Sequence, residues 1–216
     1  MPPAVRRLAG GVLLLGGIGL LGAVGWRYAD GALARDRARA EWAAMEARWA
    51  VESAQARAER PQGPVAPGTP VARVVIPRIG LDEVILEGVE ATVLNAAPGH
   101  MPGTPMPGAT GNSVISAHRD RHFHRLGQLA VGDTVRTFTP QGHRTWRITG
   151  RRIVGAGRPV LYDTPTATLT LTTCWPIRFI GPAPMGGSMR TNDTTGVNSP
   201  PARPAAAAGP APALRW

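Results

Sequence analysis

The stretch Thr168-Leu169-Thr170-Leu171-Thr172-Thr173-Cys174-Trp175-Pro176 alternates β-branched and apolar residues and then stops at a tryptophan and a proline. This alternation is typical of a β-strand, and proline cannot continue the hydrogen-bond ladder of a central strand. The strand is therefore predicted to end at Cys174, where a loop meets a rigid scaffold. Two interpretations of Cys174 stay open here, an inert core thiol or a reactive thiol at a strand end.

Six segments upstream of this stretch have the same character, since they are short, rich in Val, Ile and Thr, and separated by glycine and proline turns. They are residues 71–76, 84–86, 113–116, 134–138, 145–149 and 152–154. Short strands at such spacing predict a sandwich or a barrel. A short helix is predicted at residues 90–96, and the 27 glycines and 22 prolines argue against a helical bundle.

The composition excludes several classes of protein. The 216 residues include 24 basic side chains, all arginine, 14 acidic ones and a single cysteine. One cysteine excludes an intrachain disulfide, a cysteine-rich zinc site and an iron–sulfur cluster held by this chain alone. The net charge of +10 is spread thinly along the chain, with no run of bases longer than two, so no binding to nucleic acid is expected.

The amino-terminal region contains a long uncharged segment. Residues 8–26 lie between Arg7 and Arg27 and are about long enough to cross the hydrocarbon core of a membrane. Ala32-Leu33-Ala34 resembles a signal-peptide cleavage site, but the apolar run is longer than a usual signal h-region. We therefore expect an uncleaved transmembrane anchor at 8–26, with residues 1–7 as a cytoplasmic amino terminus; a cleaved signal peptide is the alternative.

The segment after the anchor has helical periodicity. Ala38, Trp42, Met45 and Trp49 recur at intervals of four, three and four, which predicts one apolar stripe on a helix over residues 33–60. Pro61 ends this helix, and a Pro/Gly linker follows. Residues 27–70 are thus predicted to form a stalk helix and linker, which packs on the domain or lies at the membrane surface, followed by a β domain at 71–181.

A histidine at the end of another predicted strand suggests chemistry for Cys174. Val114-Ile115-Ser116 is predicted to be a strand, and His118 follows it. One cysteine and one histidine, each at a strand end, fit nucleophilic catalysis by a thiol.

A zinc site is the alternative use of this histidine. His118, His122 and His124 with Asp120 could be its ligands, but no H-E-x-x-H or cysteine motif supports it. His100 is expected to make a loop hydrogen bond, and three other histidines are expected to be solvated: His122, His124 and His143.

At this point the sequence resembles the sortases, the cysteine transpeptidases of bacterial cell envelopes. The resemblance begins at Ile76-Pro77-Arg78-Ile79-Gly80-Leu81 and includes Gly99-His100-Met101-Pro102-Gly103-Thr104. It continues through Ser116-Ala117-His118-Arg119-Asp120, where Ala117 replaces the usual glycine, and through the strand that ends at Cys174. The details resemble the class D-like sortases and the Gram-negative (proteobacterial) type.

The resemblance implies a mainly β fold, a closed barrel of about eight strands with short helices. It implies that Cys174 attacks the carbonyl of a C-terminal sorting motif of the LPxTG/A kind, and that His118 is the general acid and base. The partners implied are envelope proteins with a sorting signal, a primary-amine acceptor and the membrane, with no metal or cofactor. The family's topology implies a single-pass protein of the cytoplasmic (inner) membrane, with the catalytic domain on the outer, periplasmic face.

One departure from the family concerns an arginine on its last strand. The family places this arginine roughly a dozen residues after the cysteine, where this chain has Gly186. Arg190 is the nearest candidate for stabilising the oxyanion, and Arg178 is the other. We therefore expect the last strand to be missing, the reading frame to diverge near Met185, and residues 182–216 to form a disordered Pro/Ala-rich tail.

This departure motivates an alternative function, a catalytically impaired sortase-like module that binds peptides. An L,D-transpeptidase is a third candidate, but its His-Gly-Cys signature is absent from Thr172-Thr173-Cys174.

Overall fold

The computed structural model describes residues 2–52, 56, 63–154 and 163–175, together with the backbone of residues 188–190 and 213–215. A long helix α1 (Pro3–Val51) precedes the β domain, which includes a short helix α2 (Ala91–Ala96). Strands in the described residues are β1 (Pro70–Ile76), β2 (Leu81–Glu87), β3 (Gly99–His100), β4 (Gly111–Ser116), β5 (Thr134–Thr139), β6 (Gly142–Gly150), β7 (Arg152–Val154), β8 (Ala167–Cys174), β9 (Ser188–Arg190) and β10 (Ala213–Arg215).

These strands form a sheet that curls into a nearly closed barrel. Their order is β10-β6-β5-β1-β2-β3-β4-β8-β9-β7, and β10 also contacts β8. Most neighbours are antiparallel, but β4 and β8 run parallel, from the pair Gly111 and Ala167 to the pair Ser116 and Thr172. The mainly β, barrel-like fold expected from the sequence is confirmed, and each of the seven strands predicted from it is present.

The barrel interior is filled by side chains from β1, β2, β4, β5, β6 and β8. Leu169 and Leu171 of β8 are fully buried and belong to one apolar cluster with Ile115 and Trp146. The opposite face of β8 carries threonines, and the hydroxyls of Thr172 and Ser116 on β4 are hydrogen-bonded at 2.6 Å. The leucines of the Thr-Leu alternation thus form the core face of β8, and the threonines form the opposite face, which is hydrogen-bonded to β4 through hydroxyl groups.

Helix α1 packs on the barrel through the predicted stripe. Ala38, Trp42 and Trp49 are buried against β2 and α2 in a second apolar cluster, and Met45 packs partly against it. The rings of Trp42 and Trp49 meet edge to face, with centroids 5.1 Å apart. Of the two placements expected for the stalk helix, the structure shows packing on the domain.

Gly31 lets the helix approach α2 closely. A Cβ at this position would lie 2.8 Å from the carbonyl oxygen of Asn95 and 2.9 Å from Nη1 of Arg121. Because ordinary carbon contacts are about 3.5–4.0 Å, no side chain fits here without movement.

The first half of α1 is exposed. An apolar stretch of this helix has a mean hydropathy of 2.0 and is 0% buried. By length and composition the helix could cross a membrane. The sequence predicted an anchor followed by a separate stalk helix, whereas one continuous helix runs from Pro3 to Val51. Glu52 caps it, and the predicted end at Pro61 lies outside the described residues.

The carboxyl-terminal region contains two short strands that were not predicted. No strand was expected after residue 181, but β9 pairs with both β8 and β7, and β10 pairs with β6. A three-residue strand thus stands where the last strand was expected to be missing, and the divergence near Met185 stays a prediction. Residues 188–190 and 213–215 lack the runs of Val, Ile and Thr that marked the other strands, and they pair because their partners in the sheet lie beside them. The remaining residues of the predicted tail lie outside the described ones.

Candidate active site

Cys174 is the last residue of β8, and its side chain is exposed. Because side chains alternate along a strand, Cys174 shares the threonine face with Thr172 and points away from the apolar core. Trp175 follows and packs partly against that core. The open interpretation of Cys174 as an inert core thiol is therefore excluded by its exposure.

His118 lies at the matching position beside the adjacent parallel strand. Ser116 pairs with Thr172, and the N–H of Ala117 donates to the carbonyl oxygen of Thr172 at 3.1 Å. The hydroxyl of Thr173 donates to the carbonyl oxygen of Ala117 at 2.8 Å. The last pair of the two parallel strands is Ser116 and Thr172. Two residues further along each chain stand the candidate residues, His118 after β4 and Cys174 at the end of β8.

The electrostatic surroundings of His118 favour its neutral form. Partial burial lowers the pKa of His118 below its ordinary value, and the charges of Arg121 and His122 lower it further. The Asp120 carboxylate acts in the opposite direction and raises the pKa, but the net shift is downward. Since the ordinary histidine pKa is about 6.5, the imidazole is mainly neutral at pH 7 and able to accept a proton.

A compact turn holds the loop after His118. The carbonyl oxygen of His118 accepts a hydrogen bond from the N–H of Phe123 at 3.1 Å, and the Phe123 ring is fully buried in the barrel core. Two residues of the same loop reach helix α1 and its surroundings. The Arg121 guanidinium lies 4.7 Å from the centre of the Tyr28 ring, and Nδ1 of His122 lies 3.5 Å from Oε1 of Glu83.

Glu83 is the buried centre of this contact. Its side chain is 5% exposed, and it pairs with Arg35 of α1 through a bidentate contact and with Arg39 at 3.4 Å. Burial alone would raise the pKa of Glu83, but the hydrogen bonds from His122 and Arg35 and their charges give a net lowering. The histidine-bearing loop is thereby tied to the amino-terminal helix.

Comparison with known proteins identifies the family. Residues 74–182, half of the chain, match the family model described as the Sortase domain. The chain belongs to the sortase family.

Sortase D of Bacillus subtilis (strain 168) is 35% identical to this sortase over 116 residues, which are 50% of this chain and 56% of that protein. The chain thus spans little more than half the length of this curated relative. The solved structure of a Clostridium perfringens Sortase D5 transpeptidase is 26% identical with a TM-score of 0.54, covering 65% of this chain and 86% of that one. Both relatives support the predicted class D-like type, and the proteobacterial type stays a prediction.

A more distant structure supports the fold alone. Sortase A from Corynebacterium diphtheriae is 21% identical with a TM-score of 0.51, covering 57% of this chain and 59% of that chain.

The backbone of this sortase brings Arg190 to the strand beside Cys174. Cys174 pairs with Ser188 and Thr173 with Met189, so Arg190 follows two residues after the partner of Cys174. On the other side Arg190 pairs with Arg152 of β7. Arg178, the other candidate, lies outside the described residues.

Two histidines have surroundings that the sequence did not reveal. His122 was expected to be solvated, but it is buried against Glu83, whereas His124 is exposed as expected. His100 makes the expected loop hydrogen bond, with Nε2 donating to the Pro105 carbonyl oxygen at 3.1 Å, and its Nδ1 also lies 2.7 Å from the Glu87 carboxylate. Within the described part of the chain, no group of three His, Cys, Asp or Glu side chains could hold a metal ion.

One groove of this sortase lies remote from the candidate pair. It has a volume of about 620 Å³ and is lined by the start of β1, residues 104–109 and the β5–β6 turn. These elements lie at the amino end of β4, whereas His118 follows its carboxyl end. At about 3.3 Å per strand residue, the six residues of β4 put about 20 Å between the two ends.

Proposed function

We propose that this chain is a membrane-anchored cysteine transpeptidase, with Cys174 as the nucleophile and His118 as the general acid and base. The observation that carries the proposal is the parallel register of β4 and β8, which leads His118 and exposed Cys174 to neighbouring positions. Membership of the sortase family supports the same chemistry. No hydrogen bond joins the two described side chains, and such contacts are often long before substrate binds.

The reaction begins with a neutral pair. With ordinary pKa values near 8.5 and 6.5, the thiolate–imidazolium form is only ~1% of the thiol–imidazole form, and the lowered pKa of His118 makes it rarer. His118 therefore takes the thiol proton as sulfur attacks the peptide carbonyl. The C–N bond then breaks, the leaving amine takes the proton from His118, and an acyl-thioester on Cys174 remains.

The second half of the reaction reverses these roles. A primary amine gives a proton to neutral His118 and attacks the thioester carbonyl, the C–S bond breaks, and Cys174 recovers the proton. Water in place of the amine gives hydrolysis. Each tetrahedral intermediate carries an oxyanion, and we propose Arg190 as its partner because its backbone lies on the strand next to Cys174.

We further propose that the substrate is an envelope protein with a C-terminal LPxTG/A-like sorting signal, and that the acceptor is a primary amine of the envelope. The exposed apolar part of α1 would anchor the chain in the cytoplasmic membrane, with the barrel on the outer face. No metal or organic cofactor takes part in the proposed steps.

The test uses the full chain in detergent micelles with an LPxTG-type peptide and triglycine as the amine. We expect a covalent acyl adduct on Cys174 by mass spectrometry, and a ligated product that Cys174→Ala and His118→Ala no longer form. The matched histidine control is His143→Ala, since His143 is exposed at the opposite end of the barrel. Full activity of the His118 variant would refute its role.

Arg190→Lys and Arg190→Gln test the proposed oxyanion contact. We expect both to lower kcat with little change in KM, because the contact forms with the intermediate; unchanged kcat would exclude it. Peptide binding without any acyl adduct would favour the impaired peptide-binding module instead.

A further inference from the structure

A groove with an excess of positive charge lies between helix α1 and the loop after His118. It has a volume of about 510 Å³. We call it the arginine groove after four of its lining residues, Arg35, Arg39, Arg121 and Arg125. Asp82 and Glu83 are the acidic side chains that line it.

The two acids are already matched to other arginines. Glu83 pairs with Arg35 and Arg39. The Asp82 carboxylate takes two hydrogen bonds from Arg73, at 2.7 and 2.6 Å, and Arg73 does not line the groove.

The positive charges of Arg121 and Arg125 are therefore not neutralised by these two acids. Nη1 of Arg121 donates to the carbonyl oxygen of Asn95 at 2.7 Å, and Nη1 of Arg125 donates to that of Ile79 at 3.3 Å. Among the described residues, no carboxylate forms an ion pair with either guanidinium. One ring nitrogen in the lining has no hydrogen-bond partner at all, since Nε2 of His122 is buried without one. These groups leave the groove able to take an anion.

The residues of α1 that Arg121 contacts determine how far Arg121 would lie from the membrane-spanning segment. Arg121 contacts Tyr28 and lies against Gly31, which are two and five residues beyond Trp26, the last residue of the apolar segment. At 1.5 Å per residue, these positions lie about 3 and 7.5 Å beyond the hydrocarbon boundary. The headgroup layer of a bilayer is about 5–7 Å thick on each side. With α1 anchored in a membrane as proposed above, Arg121 would lie at the depth of the lipid phosphates.

We propose that the arginine groove binds the phosphate of an anionic phospholipid, with Arg121 and Arg125 as the groups that contact it. Guanidinium groups match phosphate oxygens in geometry and charge. The proposal rests on the membrane anchoring proposed above. A lipid in the groove would bridge α1 and the loop that carries His118, and would hold the barrel against the membrane surface.

Native mass spectrometry of the full chain released from uncharged detergent micelles tests the proposal, with dihexanoyl phosphatidylglycerol as the probe. Each arginine near a membrane surface contributes about 1 kcal/mol, or about fivefold in affinity. We therefore expect Arg125→Gln to weaken lipid retention about fivefold, and Arg121→Gln with Arg125→Gln to weaken it roughly 25-fold. The matched control removes two exposed arginines elsewhere, Arg136→Gln with Arg147→Gln, and should retain the lipid.

Several outcomes would overturn the proposal. Equal loss in the control pair, or equal retention in all variants, would exclude the groove as the site. Equal retention of dihexanoyl phosphatidylcholine would exclude selection for an anionic headgroup, and full displacement by equimolar inorganic phosphate would identify a site for free phosphate instead. The Arg125→Gln single variant separates loss of binding from loss of folding, because it leaves the contacts of Arg121 with α1 intact. Cys174→Ala should bind the lipid normally, so a failure of the proposed catalysis would not affect this result.

Discussion

The buried carboxylate of Glu83 gives the sharpest test of how the helix is fixed to the barrel. Glu83→Gln keeps the size of the side chain but removes the negative charge that Arg35, Arg39 and His122 share. Removing one partner of a buried pair costs about 3–5 kcal/mol. Arg35 and Arg39 are 39% and 45% exposed, however, and water can hydrate them once they are released. We therefore expect a loss of about 2–3 kcal/mol in the free energy of unfolding at pH 7.

The neighbouring residue provides a matched control. Asp82 also accepts two hydrogen bonds from one arginine, but its side chain is 52% exposed, against 5% for Glu83. Asp82→Asn should therefore cost no more than about 1 kcal/mol. The assay is urea unfolding of the full chain in micelles, followed by the fluorescence of the buried tryptophans. Equal losses in the two variants would refute the argument from burial.

The same experiment has a defined pH dependence. The folded pKa of Glu83 lies below its ordinary value, so its stabilisation is fully present above about pH 4.5. It is lost as the pH falls through the lower folded pKa, because the carboxylate then protonates in both states. The difference between the native chain and Glu83→Gln should be constant from pH 6 to 7 and shrink below pH 4.5. A difference that persists unchanged at lower pH would contradict the assigned pKa shift.

Three further predictions follow from packing and charge. Gly31→Ala should destabilise the docked helix despite the better helix propensity of alanine, because its Cβ would meet a backbone oxygen at 2.8 Å; Gly25→Ala, with nothing within 4 Å, should be neutral or stabilising in the same urea assay. Trp42→Ala should cost about 3–5 kcal/mol and expose α1 to limited proteolysis, since this ring is 3% exposed, and a loss below about 1 kcal/mol would show that the stripe does not hold the helix. Asp120→Asn should lower the pKa of His118 further, because the Asp120 charge raises it; NMR titration and the acidic limb of kcat/KM should both move to lower pH, and a move to higher pH would reverse the assigned sign.

The strands were predictable because their side chains carry the pattern. The alternation at Thr168–Thr173 and the β-branched runs between glycine turns match β8 and six other strands. Two-residue β3 was missed, since Gly99 and His100 have no strand propensity and pair only because β2 and β4 lie on either side. The positions of Cys174 and His118 at strand ends were also predictable, but not the parallel pairing that makes them neighbours, which depends on the path of the whole chain.

The buried contact between the helix and the histidine loop was not predicted, although the sequence holds a signal for it. Arg35 stands three residues before Ala38, on the apolar stripe of α1, where a charge is unexpected. Glu83 likewise stands at an alternate position of the strand Leu81–Glu87, on the same face as Leu81 and Ile85. Two opposite charges at core positions of different elements indicate a buried pair, but only the packing of α1 on β2 shows that they meet. His122 offers no such signal, because its neighbours are nearly all polar.

The parallel pairing of β4 with β8 also bears on when the proposed reactive pair comes into existence. Its closing contact joins Ser116 and Thr172, 56 residues apart in the chain. Contacts of such long sequence separation form late, since the entropy of closing the loop must be overcome before they contribute. Until this pairing forms, nothing in the backbone leads Cys174 and His118 to matching positions. If His118 is the general base as proposed, its help to Cys174 becomes available only when this long-range pairing is complete.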